Sequence, residues 1–191
     1  MSNLPEIIAH VDGGSRGNPG PAAYGMTIET AQGQPVIALG KFIGRTTNNF
    51  AEYHGLLAAL EYALSHGYIR LRVLTDSELM ARQISGQYKV RSPDLKPLFD
   101  NAREMIARLE SFSIRHVYRE QNREADRLAN QAMDEAEHKR VPRAAAPQPA
   151  RTALPAPQPI VATFHDGSLH PHTQVPLFDG EEVELEIRRK K

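Results

Sequence analysis

The sequence predicts an α/β fold built on a mixed five-stranded sheet, with three antiparallel strands, two parallel strands and helices on both faces. Three observations support this prediction. Short runs rich in β-branched residues occupy residues 6–44 with no helical spacing between them. From residue 48 onward, such runs alternate with segments whose apolar residues recur at helical spacing. Connections that contain helices favour right-handed crossovers, so the last two strands are expected to be parallel.

The first three strands are predicted at 6–13, 22–31 and 35–44. Residues 31–34 (AQGQ) are typical of a hairpin turn, so these strands are expected to form an antiparallel meander. Residues 13–20, between the first two strands, hold four glycines and an Asn-Pro turn signal. Glycine tolerates positive φ and lets a ligand approach the backbone, so this stretch is a candidate for substrate contact.

The remaining elements alternate between helix and strand. Helices are predicted at 48–66, 78–85, 95–109 and 122–139, and strands at 69–75 and 113–119. Asn48 or Asn49 is the expected cap of the first helix, and Gly67 ends it. Ser77 is the expected cap of the second helix. The resulting order of elements is β-β-β-α-β-α-α-β-α.

A stretch rich in Pro and Ala divides the chain. Twelve of the 19 residues in 141–159 are Pro or Ala, a composition typical of an extended linker. It separates a main domain at 1–140 from a small β segment at 160–191. The chain has no cysteine, no apolar run long enough for a bilayer and no secretory signal pattern. We therefore expect a cytoplasmic protein without membrane contact.

The charge balance excludes one class of nucleic-acid binder. With 23 basic and 23 acidic residues, the formal net charge is zero. Proteins that hold nucleic acid by charge alone carry a basic excess. Any nucleic-acid binding must therefore come from local geometry, or from metal ions that offset acidic groups.

Four acidic residues occupy comparable positions in the predicted elements. Asp12 and Asp76 end strands, and Glu52 and Asp126 lie in the first turns of helices. Strand ends and helix starts converge at one edge of such a sheet, where clustered carboxylates repel one another unless cations lie among them. Mg²⁺ or Mn²⁺ suits oxygen ligands, and two such ions suit phosphodiester hydrolysis. Taken singly, each acid is also explained by the helix dipole or by capping.

Four motifs in order carry a resemblance to a known family. They are Asp12-Gly13-Gly14-x-x-Gly17-Asn18-Pro19-Gly20, Thr47-Asn48-Asn49-x-Ala51-Glu52, Thr75-Asp76-Ser77 and Asn122-x-x-Ala125-Asp126-x-Leu128-Ala129. Over residues 6–138, the chain resembles a type 1 ribonuclease H of the compact prokaryotic form. The resemblance implies a ribonuclease H-like fold and endonucleolytic cleavage of the RNA strand of RNA–DNA hybrids, leaving 3′-hydroxyl and 5′-phosphate ends. It also implies two Mg²⁺ ions, or Mn²⁺ in their place, held by Asp12, Glu52, Asp76 and Asp126.

The same resemblance implies contacts with the RNA strand. Asn18, Ser77 and Glu52 would face its 2′-hydroxyls, the groups that distinguish RNA from DNA. Asn48 and Asn49 would lie in the minor groove of the hybrid. Asn48 is also explained as a plain helix cap.

Further substrate contacts follow from position in the motifs. Arg45 and Thr47 resemble a pocket that holds a phosphate of the DNA strand, a task suited to a bidentate arginine. Arg45 is also explained as a solvated loop charge. The remaining predicted substrate contacts are Gly13, Gly14, Arg119 and Asn122.

Two features depart from the larger members of the family. Those members carry a flexible loop with a histidine before the last acid, and residues 117–122 are too few for such a loop. His116 is expected to be structural or only half-exposed, and Arg119 is the better candidate to replace that histidine. Residues 85–92 form a short turn in place of a basic protrusion, so hybrid binding is expected to be weaker and more metal-dependent. Some compact members also act at RNA–DNA junctions or on double-stranded RNA.

Residues 160–191 carry a second, shorter resemblance. A strand-like run at 160–165, the turn signal Asp166-Gly167 and an alternating run at 183–187 are similar to an antitoxin-like β-module of prokaryotes. Such a segment is too small to be stable alone, so it would mediate self-association or contact a protein partner. A tail strand that packs on a neighbour explains it equally well.

One alternative function stays open for the main domain. The same fold also suits a nucleic-acid-binding module without catalytic activity. The four acids favour the nuclease, and a cleavage assay separates the two hypotheses.

Overall fold

Five strands form one sheet in the computed structural model of the chain, which describes residues 6–140, 162–165 and 168–171. The strands are β1 (Glu6–Ser15), β2 (Gly20–Thr30), β3 (Pro35–Thr46), β4 (Arg70–Thr75) and β5 (Ser111–His116). Their order across the sheet is β3-β2-β1-β4-β5. The first three pair antiparallel, and β4 lies parallel to both β1 and β5. The predicted mixed five-stranded sheet is confirmed.

Four helices cover the two faces of this sheet. They are α1 (Asn48–Ser65), α2 (Glu78–Ile84), α3 (Lys96–Ile106) and α4 (Arg123–Arg140). On one face, Ala9 and Val11 of β1 are fully buried in the same core as Leu60 of α1. The other face carries α4, which lies so close to β2 that a Cβ added at Gly25 would come within 2.0 Å of the Ala125 carbonyl oxygen. Only a glycine allows a helix to approach a strand this closely.

The end of β5 differs from the predicted one. The strand was expected to continue to Arg119 but ends at His116. β5 is at the edge of the described sheet beside β4, and β4 ends at Thr75, directly opposite His116. With no further strand residues to pair with, the chain turns into a short 3₁₀ helix, Arg119–Gln121.

The two predicted helix caps had different outcomes. Ser77 caps α2 as predicted, since its hydroxyl accepts a backbone N–H of the first turn at 3.3 Å. α1 is capped by Thr47, whose hydroxyl accepts such an N–H at 3.4 Å, so the prediction of Asn48 or Asn49 was wrong. The side-chain amide of Asn48 is instead used in the site described below.

The chain divides into two compact units, 1–144 and 145–191. In the second, β6 (Ala162–His165) and β7 (Ser168–Pro171) pair antiparallel. The predicted linker at 141–159, the turn at 166–167 and the strand at 183–187 lie outside the described residues. The antitoxin-like resemblance and the cytoplasmic location stay predictions. None of the helices in the described part of the chain is both long and apolar enough to cross a bilayer.

Candidate active site

Strands β1 and β4 bring two of the predicted acids together at one edge of the sheet. Asp76 directly follows β4 as predicted, whereas Asp12 lies within β1, which continues to Ser15, so the prediction that Asp12 ends its strand was wrong. The strands are parallel with Val11 opposite Thr75, so the residues that follow, Asp12 and Asp76, are neighbours. Their carboxyl groups are close enough to share a hydrogen bond when one of them holds a proton. The two acids therefore converge at the carboxyl edge of the parallel pair, as the sequence predicts.

α1 brings Glu52 to the same edge because β1 has no side chain where the two elements cross. A Cβ at Gly13 would come within 2.1 Å of the Glu52 backbone nitrogen. Both carboxylate oxygens of Glu52 then accept hydrogen bonds. Asn48 Nδ2 donates to Oε1 at 2.9 Å, and the Ser77 hydroxyl donates to Oε2. Glycine is therefore required at position 13 for α1 to cross β1 this closely. The predicted contact of Gly13 with the substrate stays a prediction.

Burial and mutual repulsion raise the pKa values of two of these acids. Burial is the largest cause for Asp12, whose pKa rises to about 7, and the charges of Asp76 and Asp126 add to it. Burial also raises the pKa of Glu52 to about 7, although the hydrogen bonds it accepts lower it and the charge of Asp76 raises it further. Because Asp76 acts on both groups and Asp126 on Asp12, the four carboxylates form one electrostatic cluster.

α4 carries the fourth acid of this cluster in its first turn. Asp126 is 27% exposed and accepts a hydrogen bond from Arg119 at 2.8 Å. The Arg119 side chain is 71% exposed, so this ion pair lies at the rim of the cluster. Asn130, one turn further along α4, donates to the same carboxylate oxygen at 3.2 Å. Sequence reasoning missed this contact, although the i, i+4 spacing is a signal for it.

Asn122 lies behind the acids and away from the surface. It is 1% exposed, and its Nδ2 donates to the Val11 carbonyl oxygen and to Asp76 Oδ1, both at 2.9 Å. Its predicted contact with the substrate stays a prediction. What the structure shows is a buried link between β1, the side chain of Asp76 and the start of α4.

Several predicted substrate residues gather around Glu52. The Asn18 side chain accepts the backbone N–H of Asn48 at 3.3 Å, which ties the glycine-rich stretch to the start of α1. Thr47 caps that helix, and Ser77 reaches Glu52 from the start of α2. The structure thus brings together polar groups from three separate segments of the chain.

The other predicted substrate residues lie further along the elements that border this group. Arg45 is exposed near the end of β3, opposite Pro21 of β2. Asn49 is half-buried in the first turn of α1, and Gly14 is on β1 opposite Ala23. Their contacts with a substrate stay predictions.

His116 corrects one expectation. It is exposed at the end of β5, so its assignment as structural or half-exposed was wrong. Its ring lies edge-on to the ring of Tyr118, with 6.1 Å between the centroids, and Tyr118 is itself 75% exposed. The cause is the early end of the strand, which leaves both rings without a neighbouring element to cover them.

The chemistry of the acidic cluster fits divalent metal ions with oxygen ligands. Asp12 and Asp76 share a hydrogen bond only when one of them holds a proton, because two ionised carboxylates repel each other. A bound cation relieves this repulsion in the same way as the proton does. Within the described residues, no group of three or more histidine, aspartate or glutamate side chains is arranged to hold a metal ion by itself. Mg²⁺ does not need one, because it keeps several waters and binds through one or two carboxylates plus substrate phosphate oxygens. The residues that would hold the ions are Asp12, Glu52, Asp76 and Asp126.

Comparison with known proteins gives consistent matches over the first unit. A family profile described as reverse transcriptase-like matches residues 10–132. The ribonuclease HI of Halobacterium salinarum is 44% identical over 130 residues, which are 68% of this chain and 65% of that protein. The crystal structure of RNase H1 from this archaeon has a TM-score of 0.66 at 43% identity and covers 68% of this chain and 98% of the other.

Two further relatives match the same region. The N-terminal RNase H domain of Rv2228c from Mycobacterium tuberculosis has a TM-score of 0.69 at 42% identity and covers 72% of this chain and 99% of that one. The whole Rv2228c protein, described as bifunctional, is matched over 36% of its length. LC11-RNase H1, solved in complex with an RNA/DNA hybrid, has a TM-score of 0.66 at 40% identity and covers 69% of this chain and 99% of that one. The chain thus spans from about a third to two thirds of its full-length relatives. Because the family profile covers more than half of the chain, and these relatives are at least 40% identical across the same region, the chain belongs to the ribonuclease H family.

Proposed function

We propose that this protein is a ribonuclease H that hydrolyses the RNA strand of RNA–DNA hybrids. The observation that carries the proposal is the buried carboxylate cluster, in which Asp12 and Glu52 have pKa values of about 7. Such shifts are typical of sites that hold cations or transfer protons. The relative LC11-RNase H1, 40% identical to this chain, has been solved with an RNA/DNA hybrid. The cluster supports catalysis with cations, and the relative's complex supports the hybrid as the substrate class.

In the proposed reaction, a water attacks the phosphorus of an RNA phosphodiester in line with the 3′ oxygen. The new bond joins the water oxygen to phosphorus, and the bond from phosphorus to the 3′ oxygen breaks. One water proton passes to solvent and one ends on the 3′ oxygen, which leaves 3′-hydroxyl and 5′-phosphate ends. Bound in a pair, Mg²⁺ or Mn²⁺ ions supply the Lewis acidity that activates the water and stabilises the leaving oxygen.

The chain's own residues would position this substrate. We propose that Glu52, whose two oxygens accept hydrogen bonds from Asn48 and Ser77, faces the 2′-hydroxyls of the RNA strand together with Ser77. We propose that Asn18 and Asn49 add contacts in the minor groove. These contacts are hydrogen bonds and not ion pairs, which suits a chain of zero net charge.

The DNA strand and the rim of the site complete the proposal. We propose that Arg45 and Thr47 hold a DNA-strand phosphate and that the backbone at Gly13 and Gly14 lies against the RNA. Arg119 is exposed and paired with Asp126, the acid in the first turn of α4. It is the residue we assign to the place of the family's loop histidine.

The decisive experiment is cleavage of an end-labelled RNA–DNA hybrid with Mg²⁺. Wild type is expected to cut the RNA strand internally and to leave 5′-phosphate ends, while Asp12→Asn is expected to be inactive. Glu110→Gln is the matched control, because Glu110 pairs with Arg70 at the opposite end of β4 and should retain full activity. Double-stranded RNA and an RNA–DNA junction serve as competing substrates.

The outcome separates the two functions considered for this fold. Hybrid binding by a wild type that does not cleave would contradict the nuclease and favour a binding module. Removal of residues 141–191 tests the proposed role of the tail in self-association or partner contact. Unchanged oligomeric state and unchanged hybrid binding would contradict that role.

A further inference from the structure

Asn122 makes contacts that a substrate-binding residue does not need. It directly precedes α4, is 1% exposed, and uses one nitrogen atom to reach two acceptors. Nδ2 lies 2.9 Å from the carbonyl oxygen of Val11 and 2.9 Å from Oδ1 of Asp76. Val11 is the residue before Asp12, so this amide joins the part of β1 that carries Asp12 to the acid that follows β4.

The two acceptors explain why an amide is required at this position. A carbonyl oxygen and a carboxylate both need donors, and the primary amide of asparagine supplies two N–H groups from one atom. An aspartate would place acceptors against acceptors, and a serine has a single donor. The orientation of the amide is therefore fixed by chemistry, since the flipped form would face both acceptors with oxygen.

The other half of the same side chain is left unpaired. Asn122 Oδ1 is buried and has no hydrogen-bond partner among the described residues. An asparagine that starts a helix ordinarily turns this oxygen to a backbone N–H of the first turn. In this protein that contact is absent, at a cost in stability, while the amide nitrogen donates to the Val11 carbonyl oxygen and to Asp76. Buried unsatisfied groups of this kind call for a functional explanation.

The backbone of Asn122 adds a third link. Its carbonyl oxygen accepts the N–H of Asp126 at 3.1 Å, the first helical hydrogen bond of α4. One residue thus contacts the strand that carries Asp12, the side chain of Asp76 and the turn that carries Asp126. Resting on the proposed function, we infer that Asn122 is a positioning residue that fixes these three carboxylates relative to one another for cation binding.

The test measures metal affinity directly, by calorimetric titration of the full chain with Mg²⁺ at pH 8. Asn122→Ala is expected to weaken the affinity for Mg²⁺ by 10-fold to 100-fold, the range typical of residues that orient metal ligands. Asn122→Ser keeps one donor and is expected to fall between wild type and alanine. If the alanine variant does not fold, the serine variant carries the test alone.

Kinetics with the labelled hybrid separate positioning from substrate contact. At a fixed, limiting Mg²⁺ concentration, Asn122→Ala is expected to lower kcat while KM for the hybrid stays within about twofold of wild type. Raising Mg²⁺ should restore most of the lost rate. Leu60→Ala, a fully buried change in α1, is the control for lost stability and should leave the Mg²⁺ affinity of the folded protein unchanged.

Two results would overturn the inference. The first is an Mg²⁺ affinity of Asn122→Ala equal to that of wild type or of Leu60→Ala. The second is a raised KM for the hybrid with unchanged Mg²⁺ affinity, which would show direct contact with the substrate. A wild type that binds Mg²⁺ but does not cleave would refute the proposed function, and weaker binding by Asn122→Ala would still support the positioning role.

Discussion

Asp12→Asn is expected to stabilise the metal-free protein at pH 8 and to stabilise it only about a third as much at pH 5. Burial, with the charges of Asp76 and Asp126, raises the pKa of Asp12 to about 7 in the folded chain, against about 3.9 for an unfolded aspartate. Between these pH values the folded state binds more protons than the unfolded state, so the free energy of unfolding falls as pH rises. Above pH 7 the loss is complete, and asparagine avoids it.

The size of the effect follows from the same pKa difference. One pKa unit corresponds to about 1.4 kcal/mol, so a difference of about three gives an upper bound of about 4 kcal/mol. The true value is smaller, because Asp12 shares its proton with Asp76 and keeps part of its surface in water. We expect about 1–2 kcal/mol at pH 8. For a domain of this size, that is a rise in Tm of about 3–8 °C.

Thermal melts with a chelator at pH 5 and pH 8 measure this difference. Mg²⁺ is expected to raise the Tm of wild type more at pH 8 than at pH 5, because at the lower pH it must displace protons. Asp12→Asn should lose most of that response. Glu110→Gln, in an exposed ion pair, is the control and should show no such dependence on pH. Equal destabilisation by Asp12→Asn at both pH values would refute the charge-cluster reasoning.

Three further changes test other parts of the site. Ser77→Ala removes a hydrogen bond that lowers the pKa of Glu52, so the acid limb of the pH–rate profile should move to higher pH. Loss of the α2 cap should also lower the free energy of unfolding in urea by about 1 kcal/mol. An acid limb at the same pH as in wild type would contradict the role of Ser77 at Glu52. Gly13→Ala places a Cβ 2.1 Å from the Glu52 backbone nitrogen and should lower the free energy of unfolding by at least about 3 kcal/mol. Gly33→Ala, where a Cβ meets open space at positive φ, is the control and should lower it by about 1 kcal/mol. Similar losses for the two variants would argue against the close crossing of α1 and β1. Arg119→Ala should change the free energy of unfolding by less than about 1 kcal/mol but slow single-turnover cleavage about tenfold or more. Arg115→Ala, at another exposed arginine, is the control. Cleavage by Arg119→Ala at the wild-type rate would show that Arg119 takes no part in the reaction.

The positions of the four acids could be predicted from the sequence because each follows from local pattern and topology. Asp76 directly follows β4, and Asp12 directly follows the last residue of β1 that pairs with β4, so both lie at the carboxyl edge of this parallel pair. Glu52 and Asp126 lie in the first two turns of helices that return to that edge. The mixed sheet follows in the same way. Three strand-like runs without helices between them predict the antiparallel strands, and the later alternation of helices and strands predicts the parallel ones.

The features that sequence reasoning missed depend on which residue is nearest in space. Thr47, Asn48 and Asn49 are all good caps by residue type. In the structure Thr47 caps α1, and the side-chain amide of Asn48 donates to Glu52. In the same way, Val117 continues an apolar alternation. The strand nevertheless ends one residue earlier, because its neighbour β4 ends there. The length of β4 cannot be deduced from the sequence of β5.

The rigidity of the cluster explains why cations should matter so much to this protein. Carboxylates on flexible side chains relieve repulsion by rotating apart, but here both oxygens of Glu52 are held by hydrogen bonds and one oxygen of Asp76 is held by the buried amide of Asn122. The helix that carries Glu52 also has no room to move away from β1 at Gly13. Arg119 pairs with Asp126 at the rim, and the repulsion that remains among the buried acids is relieved by a proton or by a metal ion. A proton serves below pH 7, and at higher pH the same geometry favours divalent cations.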